Sequence, residues 1–378
     1  MGGGASKAGP LTAKEAAPGD ILYPPVELRH APLANSANAV KTIEFGLEDI
    51  EVISIIGCGS FAKVECVKIR KASSAWPESA PFALKTMCKG YIAKMGGETP
   101  VVEEILVWSA CNSPFIATCY AAWSRPEHVH LLSEMLVGGE LYATYNRESL
   151  FGNAKCAQFY IACVSLALLH LHGMAVICRG IKPEDIVLDT SGYPKLVDMG
   201  FAKRLANHGE QSHTTCGVPN YFSPEAIAGV GHGVAHDWWC VGILTFELLA
   251  GAVPFEGGTC QETYVEINAG IKKVTFPSAV REALGASDMV KALCARKPTQ
   301  RLPMRRDGWK AYREHIFFSG LDWTALENRL LTAPFVPTVS GPDDVSNFKT
   351  PDKEDLPPTV LMKGKGTQQV DELFNLAA

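Results

Sequence analysis

Lys85 closes the apolar run Phe82-Ala83-Leu84-Lys85, where a lysine can hold its ammonium out to a phosphate. Upstream, Gly57-Cys58-Gly59-Ser60-Phe61-Ala62-Lys63-Val64 lies between two strand-like runs. Glycines in such a turn let backbone N–H groups approach phosphate oxygens without interference from a Cβ. Taken alone, a Gly-rich hairpin is more often just a hairpin. Here Glu104 opens a helical run further on and offers an ion-pair partner for Lys85. Then come Arg179-Gly180-Ile181-Lys182-Pro183-Glu184-Asp185, Asp198-Met199-Gly200 and Ser223-Pro224-Glu225, in that order. The chemistry these groups could do is phosphate handling.

The elements that must position them read as follows. Ile50–Ile56, Ala62–Val67, Phe82–Lys85 and Val129–Glu134 have strand patterns, and residues 100–111 look helical. Long apolar helices follow at 154–173 and 236–251, with short strands between them. A β-rich beginning and a helical remainder give an α+β chain of two unequal lobes, about 50–135 and 136–318. Residues 1–49 form an N-terminal arm, rich in Ala, Gly and Pro over its first 44 residues and expected to be flexible. Six prolines (334, 337, 342, 351, 357 and 358) make 319–378 an extended tail rather than a third domain. No internal repeat is evident.

The chain has 378 residues, of which 35 are Lys or Arg and 40 are Asp or Glu, a formal net charge of −5. A mildly acidic balance argues against nucleic acid as a partner. The 12 cysteines lack the paired spacing of a zinc site, and with no secretory start they read as reduced thiols of the cytoplasm. The apolar stretches Cys156–Cys178 and Trp238–Phe255 contain polar residues and read as buried helices. Met1-Gly2-Gly3-Gly4-Ala5-Ser6 fits an N-myristoylation pattern at Gly2, and equally fits a plain Gly-rich start. One acyl chain would give only weak, reversible membrane contact.

The ordered motifs resemble those of eukaryotic protein kinases from about Ile50 to Phe318. Gly200-Phe201-Ala202-Lys203-Arg204, Thr215-Cys216-Gly217-Val218-Pro219 and Asp237-Trp238-Trp239 resemble the AGC group, as do Ala333-Pro334-Phe335-Val336-Pro337 and Ser346-Asn347-Phe348. Within it the chain is similar to the cyclic-AMP- and cyclic-GMP-dependent kinases. The resemblance implies a bilobal fold and an ATP site with Mg²⁺. Ile56, Gly57, Gly59, Ser60, Phe61 and Val64 would cover the nucleotide, while Lys85, paired to Glu104, would hold its phosphates. Ala83, Leu141 and Val187 would supply apolar walls, Glu134 and Leu136 the hinge behind a small Ser133, and Glu140 a contact near the ribose. Asp198 and Asp185 occupy metal-binding positions, and Lys182 marks serine/threonine specificity.

The resemblance also implies partners. Glu140, Glu184 and Glu247 would form a groove for a basic peptide or pseudosubstrate, and regulation by a cyclic nucleotide would need a separate subunit. Thr214 aligns with a regulatory phosphothreonine, with Arg179 and Lys203 to pair with it. Glu225 and Arg301 would form a buried ion pair.

Three departures stand out. Gly180 occupies the position of the catalytic aspartate, Asp185 that of an asparagine, and Val218 that of a threonine that would touch both the missing aspartate and Lys182. Met199 replaces a phenylalanine, so the internal apolar stack would consist of Trp108, Cys119, Cys178 and Met199. Ala62 for a third loop glycine is a mild change. The expectation is an ATP-binding pseudokinase or catalytically impaired kinase. The alternatives are an active serine/threonine kinase of altered chemistry and a fold whose nucleotide site is rarely filled.

Overall fold

The computed structural model describes residues 46–59, 62–70, 80–207 and 209–351. Five antiparallel strands form the first lobe in the order β1-β2-β3-β5-β4. They are β1 (Ile50–Cys58), β2 (Ala62–Ile69), β3 (Pro81–Cys88), β4 (Cys119–Ser124) and β5 (His128–Glu134). Pro81 stands at the first position of its strand, where its missing N–H does no harm. β1 is an edge strand interrupted by two register shifts, which blunt that edge against further pairing. Val67, Ile69, Phe82, Leu84, Trp123 and Leu132 form a small core of their own in the sheet. Helix α1 (Lys89–Met95) leads into α2 (Glu98–Ala110), the helix expected over 100–111.

Strand β4 and helix α1 carried no sequence signal. In β4 the run Cys-Tyr-Ala-Ala-Trp-Ser has two alanines and no β-branched residue, so pairing with β5 supplies what propensity does not.

The second lobe is helical: α3 (Leu141–Arg147), α4 (Ala154–Gly173), α5 (Pro224–Ala228), α6 (Ala235–Ala250), α7 (Cys260–Ala269), α8 (Ser278–Glu282), α9 (Ala286–Leu293), α10 (Gly308–Arg313) and α11 (Trp323–Glu327). Two-stranded pairs β6 (Val176–Ile177) with β9 (Lys203–Arg204), and β7 (Ile186–Leu188) with β8 (Pro194–Leu196), lie between α4 and α5. Asn153 caps α4 by accepting from the Lys155 and Cys156 N–H groups. By length and composition α4 could cross a membrane, yet most of it is buried in the core beside α6. The buried pair Glu225–Arg301 is bidentate at 2.6 and 2.7 Å. Arg301 is fully buried, donates also to Ala235 O and Ala295 O, and lies over the Trp239 ring.

Residues 319–351 pack along both lobes. Trp323 of α11 joins an aromatic cluster with Trp309 and Phe318. Asp343 pairs with Lys68 of β2 at 2.5 Å, and Asn347 Nδ2 donates to Val137 O at 3.0 Å. Gly139 (φ +86°) passes so close that an added Cβ would stand 2.8 Å from Asn347 O.

Candidate active site

Between the lobes lies a cleft of about 440 Å³, within the usual range for small-ligand pockets. Ile56, Gly57, Gly59, Val64, Ala83, Leu136 and Val187 line it, as the motifs led us to expect. Ser60 and Phe61 lie outside the described residues. Leu141 is a correction: it is fully buried beneath the cleft and is not part of its wall.

The register of β3 against β2 and β5 puts Lys85 in the cleft. Its ammonium sits 2.6 Å from Glu104 on α2 and 3.2 Å from Asp198. Burial would depress the lysine, but the two carboxylates outweigh it and hold Lys85 well above its ordinary range. Burial pushes Glu104 up to about 7 despite that contact. Burial opposes ionisation of Asp198 too, and there Lys85 and the Gly200 N–H prevail, leaving it below the usual carboxylate range. Lys85 is a fixed cation.

Across the cleft Asp185 pairs with Lys182 at 3.0 Å. Burial, then repulsion from Asp198, pushes its carboxyl up to about 7. Asp185 and Asp198 both line the cleft and feel each other's charge, and two carboxylate donors suit Mg²⁺. Metal binding would require Asp185 to ionise. Mg²⁺-dependent ATP binding should therefore tighten as pH rises through about 7. Titration calorimetry across that range checks this, and Asp185→Asn should diminish the step, since Glu104 titrates in the same range.

Glu134 does not turn its carboxylate to the cleft. Lys195 of β8 holds both of its oxygens, at 2.7 and 2.8 Å, and the Thr118 N–H donates to Oε2. Only its backbone is left to read a base. Glu140 and Glu184 both border the cleft. Burial and the neighbouring Glu184 raise the Glu140 carboxyl. Glu247 is also raised by burial, accepts a hydrogen bond from the Tyr221 hydroxyl, and feels Glu184 and Glu256. The three acids form one electrostatic array. Trp108 of α2 and Phe348 of the C-terminal segment also reach the cleft.

The segment carrying Gly180 is braced from beneath. Asp237 on α6 accepts the backbone N–H groups of Cys178 and Arg179, both at 2.9 Å, and meets His172 Nε2 at 2.7 Å. That grip holds Arg179 at φ +60°. The Arg179 guanidinium then reaches Thr214 Oγ1 at 2.6 Å and Ser212 Oγ at 3.0 Å. Lys203, on β9, makes no hydrogen bond to Thr214 among the described residues.

The family model "Protein kinase domain" matches residues 50–318. The chain belongs to the protein kinase family. It is 35% identical over 315 residues to "cGMP-dependent protein kinase 2" of Homo sapiens, covering 83% of this chain and 40% of that protein. It is 37% identical over 302 residues to "cGMP-dependent protein kinase, isozyme 1" of Drosophila melanogaster, covering 80% and 38%. It is 34% identical over 310 residues to the "cAMP-dependent protein kinase catalytic subunit" of Dictyostelium discoideum, covering 82% and 46%. The chain thus spans less than half the length of these relatives. Their character agrees with the AGC-group motifs.

The kinase motifs bring Lys85, Glu104 and Asp198 together as a unit, with Lys182 and Asp185 opposite. The position that the resemblance assigns to proton acceptance is different. Gly180 has no side chain there, and a Cβ added to it would stand 3.2 Å from Phe201 Cδ2 and 3.5 Å from Phe201 Cβ. Of the residues expected to form the apolar stack, Trp108, Cys178 and Met199 are buried in the main core and Cys119 packs against that core. Three contributors escaped the sequence reading. Trp108 as a cleft residue had no signal beyond its place one turn past Glu104. Phe348 sat in a recognised motif without a role. His172 pairs with Asp237 across 65 residues.

Proposed function

We propose that this kinase domain binds ATP with Mg²⁺ and a basic peptide, and transfers phosphate poorly or not at all. Lys85, held by Glu104 and Asp198, would cradle the phosphates, and Asp185 with Asp198 would hold the metal. A metal held by these two carboxylates would supply positive charge beside the phosphates. Glu140, Glu184 and Glu247 would receive arginines of the peptide.

One observation carries the impaired reading. By the family resemblance Gly180 stands where an acceptor hydroxyl would give up its proton, and it offers no carboxylate there; Phe201 lies against it and Val218 lines the same small pocket. Loss of a positioned base typically lowers the rate about 10²–10⁴-fold. The test is transfer of labelled phosphate from ATP to an arginine-rich serine peptide. Turnover in the ordinary kinase range of about 1–100 s⁻¹ would overturn the reading.

A second reading has its own support. Asp185, raised to about 7, has the basicity of a general base, so the chain could be an active serine/threonine kinase of altered chemistry. It requires that any activity fall with Asp185→Asn. Thr214 is the regulatory phosphosite of either reading, since Arg179 already holds its hydroxyl. The remaining proposals are a separate regulatory subunit, a cytoplasmic setting and weak membrane contact through an acylated Gly2. Gly2 lies outside the described residues.

A further inference from the structure

The chain carries a formal net charge of −5, yet residues 296–310 hold six Lys or Arg and a single acid, Asp307. Arg301 is buried against Glu225 and also donates to Ala295 O, which pins this segment to the helical lobe. Around that pin the backbone closes one turn after another. Gln300 N–H donates to Lys297 O, Met304 N–H to Arg301 O and Gly308 N–H to Arg305 O. The Arg305 guanidinium folds back on Gln300 O at 3.0 Å. Gly308 lies so close to Pro303 that an added Cβ would collide with the Pro303 backbone. On this compact knuckle Arg296, Lys297, Arg305, Arg306 and Lys310 are all exposed. Among the described residues Arg296, Lys297 and Arg306 have no acidic partner, and Lys310 has only Glu314 at 3.9 Å.

Two exposed aliphatic side chains belong to elements that pack on or follow this segment. Helix α9 packs against the Leu302–Met304 turn, and Leu284, two residues before that helix, is 61% exposed. Ile316, beyond the end of α10, is 51% exposed and lies against Gly285. Cations beside an aliphatic pair match the interface of a bilayer. Anionic headgroups take the charges, and the edge of the acyl layer takes the side chains. A nucleic acid would satisfy the cations and leave Leu284 and Ile316 in water.

We propose that residues 296–310, with Leu284 and Ile316, form a docking surface for the anionic face of a lipid bilayer. None of these residues lines the nucleotide cleft, so docking and nucleotide binding are separate. The surface supplies the second attachment that one acyl chain at Gly2 would need, and it works without that chain.

The test is sedimentation of the full, non-acylated chain with vesicles of phosphatidylcholine, with and without phosphatidylserine. Binding should require phosphatidylserine and fall steeply as salt is added. At roughly fivefold per cation near the surface, Arg296→Gln, Lys297→Gln and Arg306→Gln together should weaken it about a hundredfold, with the melting temperature unchanged. Leu284→Ser with Ile316→Ser should weaken vesicle binding and leave binding to heparin, a soluble polyanion, untouched. Equal vesicle binding by wild type and the triple variant would overturn the proposal. So would vesicle binding that ignores loss of the two aliphatic side chains, which would make the surface a general polyanion site. If only N-myristoylated protein binds, and equally to both kinds of vesicle, the acyl contact stands and this surface falls.

Discussion

Gly180→Asp combined with Val218→Thr should raise phosphate transfer to an arginine-rich serine peptide by about 10²–10⁴-fold over wild type. The aspartate restores a proton acceptor, and the threonine restores a hydroxyl able to position it. Gly180→Asp alone should gain less. Its Cβ would meet Phe201 Cδ2 at 3.2 Å, so the ring must give way, and Val218 offers the new carboxylate no hydrogen bond. The remaining parts are in place, because Lys85, Glu104 and Asp198 already make their contacts and Asp237 braces the loop. The comparison is made with labelled ATP on the four proteins of the cycle. No gain in the double variant would mean that Asp185, still standing for asparagine, is the dominant defect.

Glu225→Ala should destabilise the helical lobe by about 3–5 kcal/mol, because it leaves the buried Arg301 guanidinium without its counter-charge. For a domain of this size that is a fall in melting temperature of roughly 10 °C, read by calorimetry. Replacing both partners by apolar residues, as in Glu225→Leu with Arg301→Met, should cost far less, since no uncompensated charge remains. A drop in the double variant as large as in the single would refute that account. The pH dependence has a definite sign. Burial opposes ionisation of Glu225, but Arg301 outweighs it and holds the carboxyl below its ordinary value. The contribution is therefore complete above the usual carboxylate range and fades as the pH falls.

Much of the site was legible because its motifs sit in short runs and each residue type allows little else. Lys85 ends an apolar strand, and Asp198-Met199-Gly200 and Ser223-Pro224-Glu225 follow in order. The two lobes followed from the switch between alternating and helical periodicity. Contacts between distant runs were not legible. Nothing in the sequence places Phe201 against Gly180, turns the Glu134 carboxylate to Lys195, or ties Lys182 to Asp185. These depend on how loops are held after folding, as Asp237 holds Cys178 and Arg179 from a helix 58 or more residues away. Strand β4 escaped because its alanines carry little intrinsic preference. The wall role expected of Leu141 failed because its helix points it down into the core.

The segment beyond residue 318 has a kinetic consequence. It is anchored to the sheet through Asp343 and Lys68, crosses Val137 and Gly139, and sets Phe348 against the cleft. A molecule leaving past Phe348 would have to displace this strap, and its residence time would then depend on residues that never touch a phosphate. The Lys68–Asp343 anchor is partly exposed, and ions in solution weaken it. Departure should therefore quicken in salt even where equilibrium affinity hardly moves.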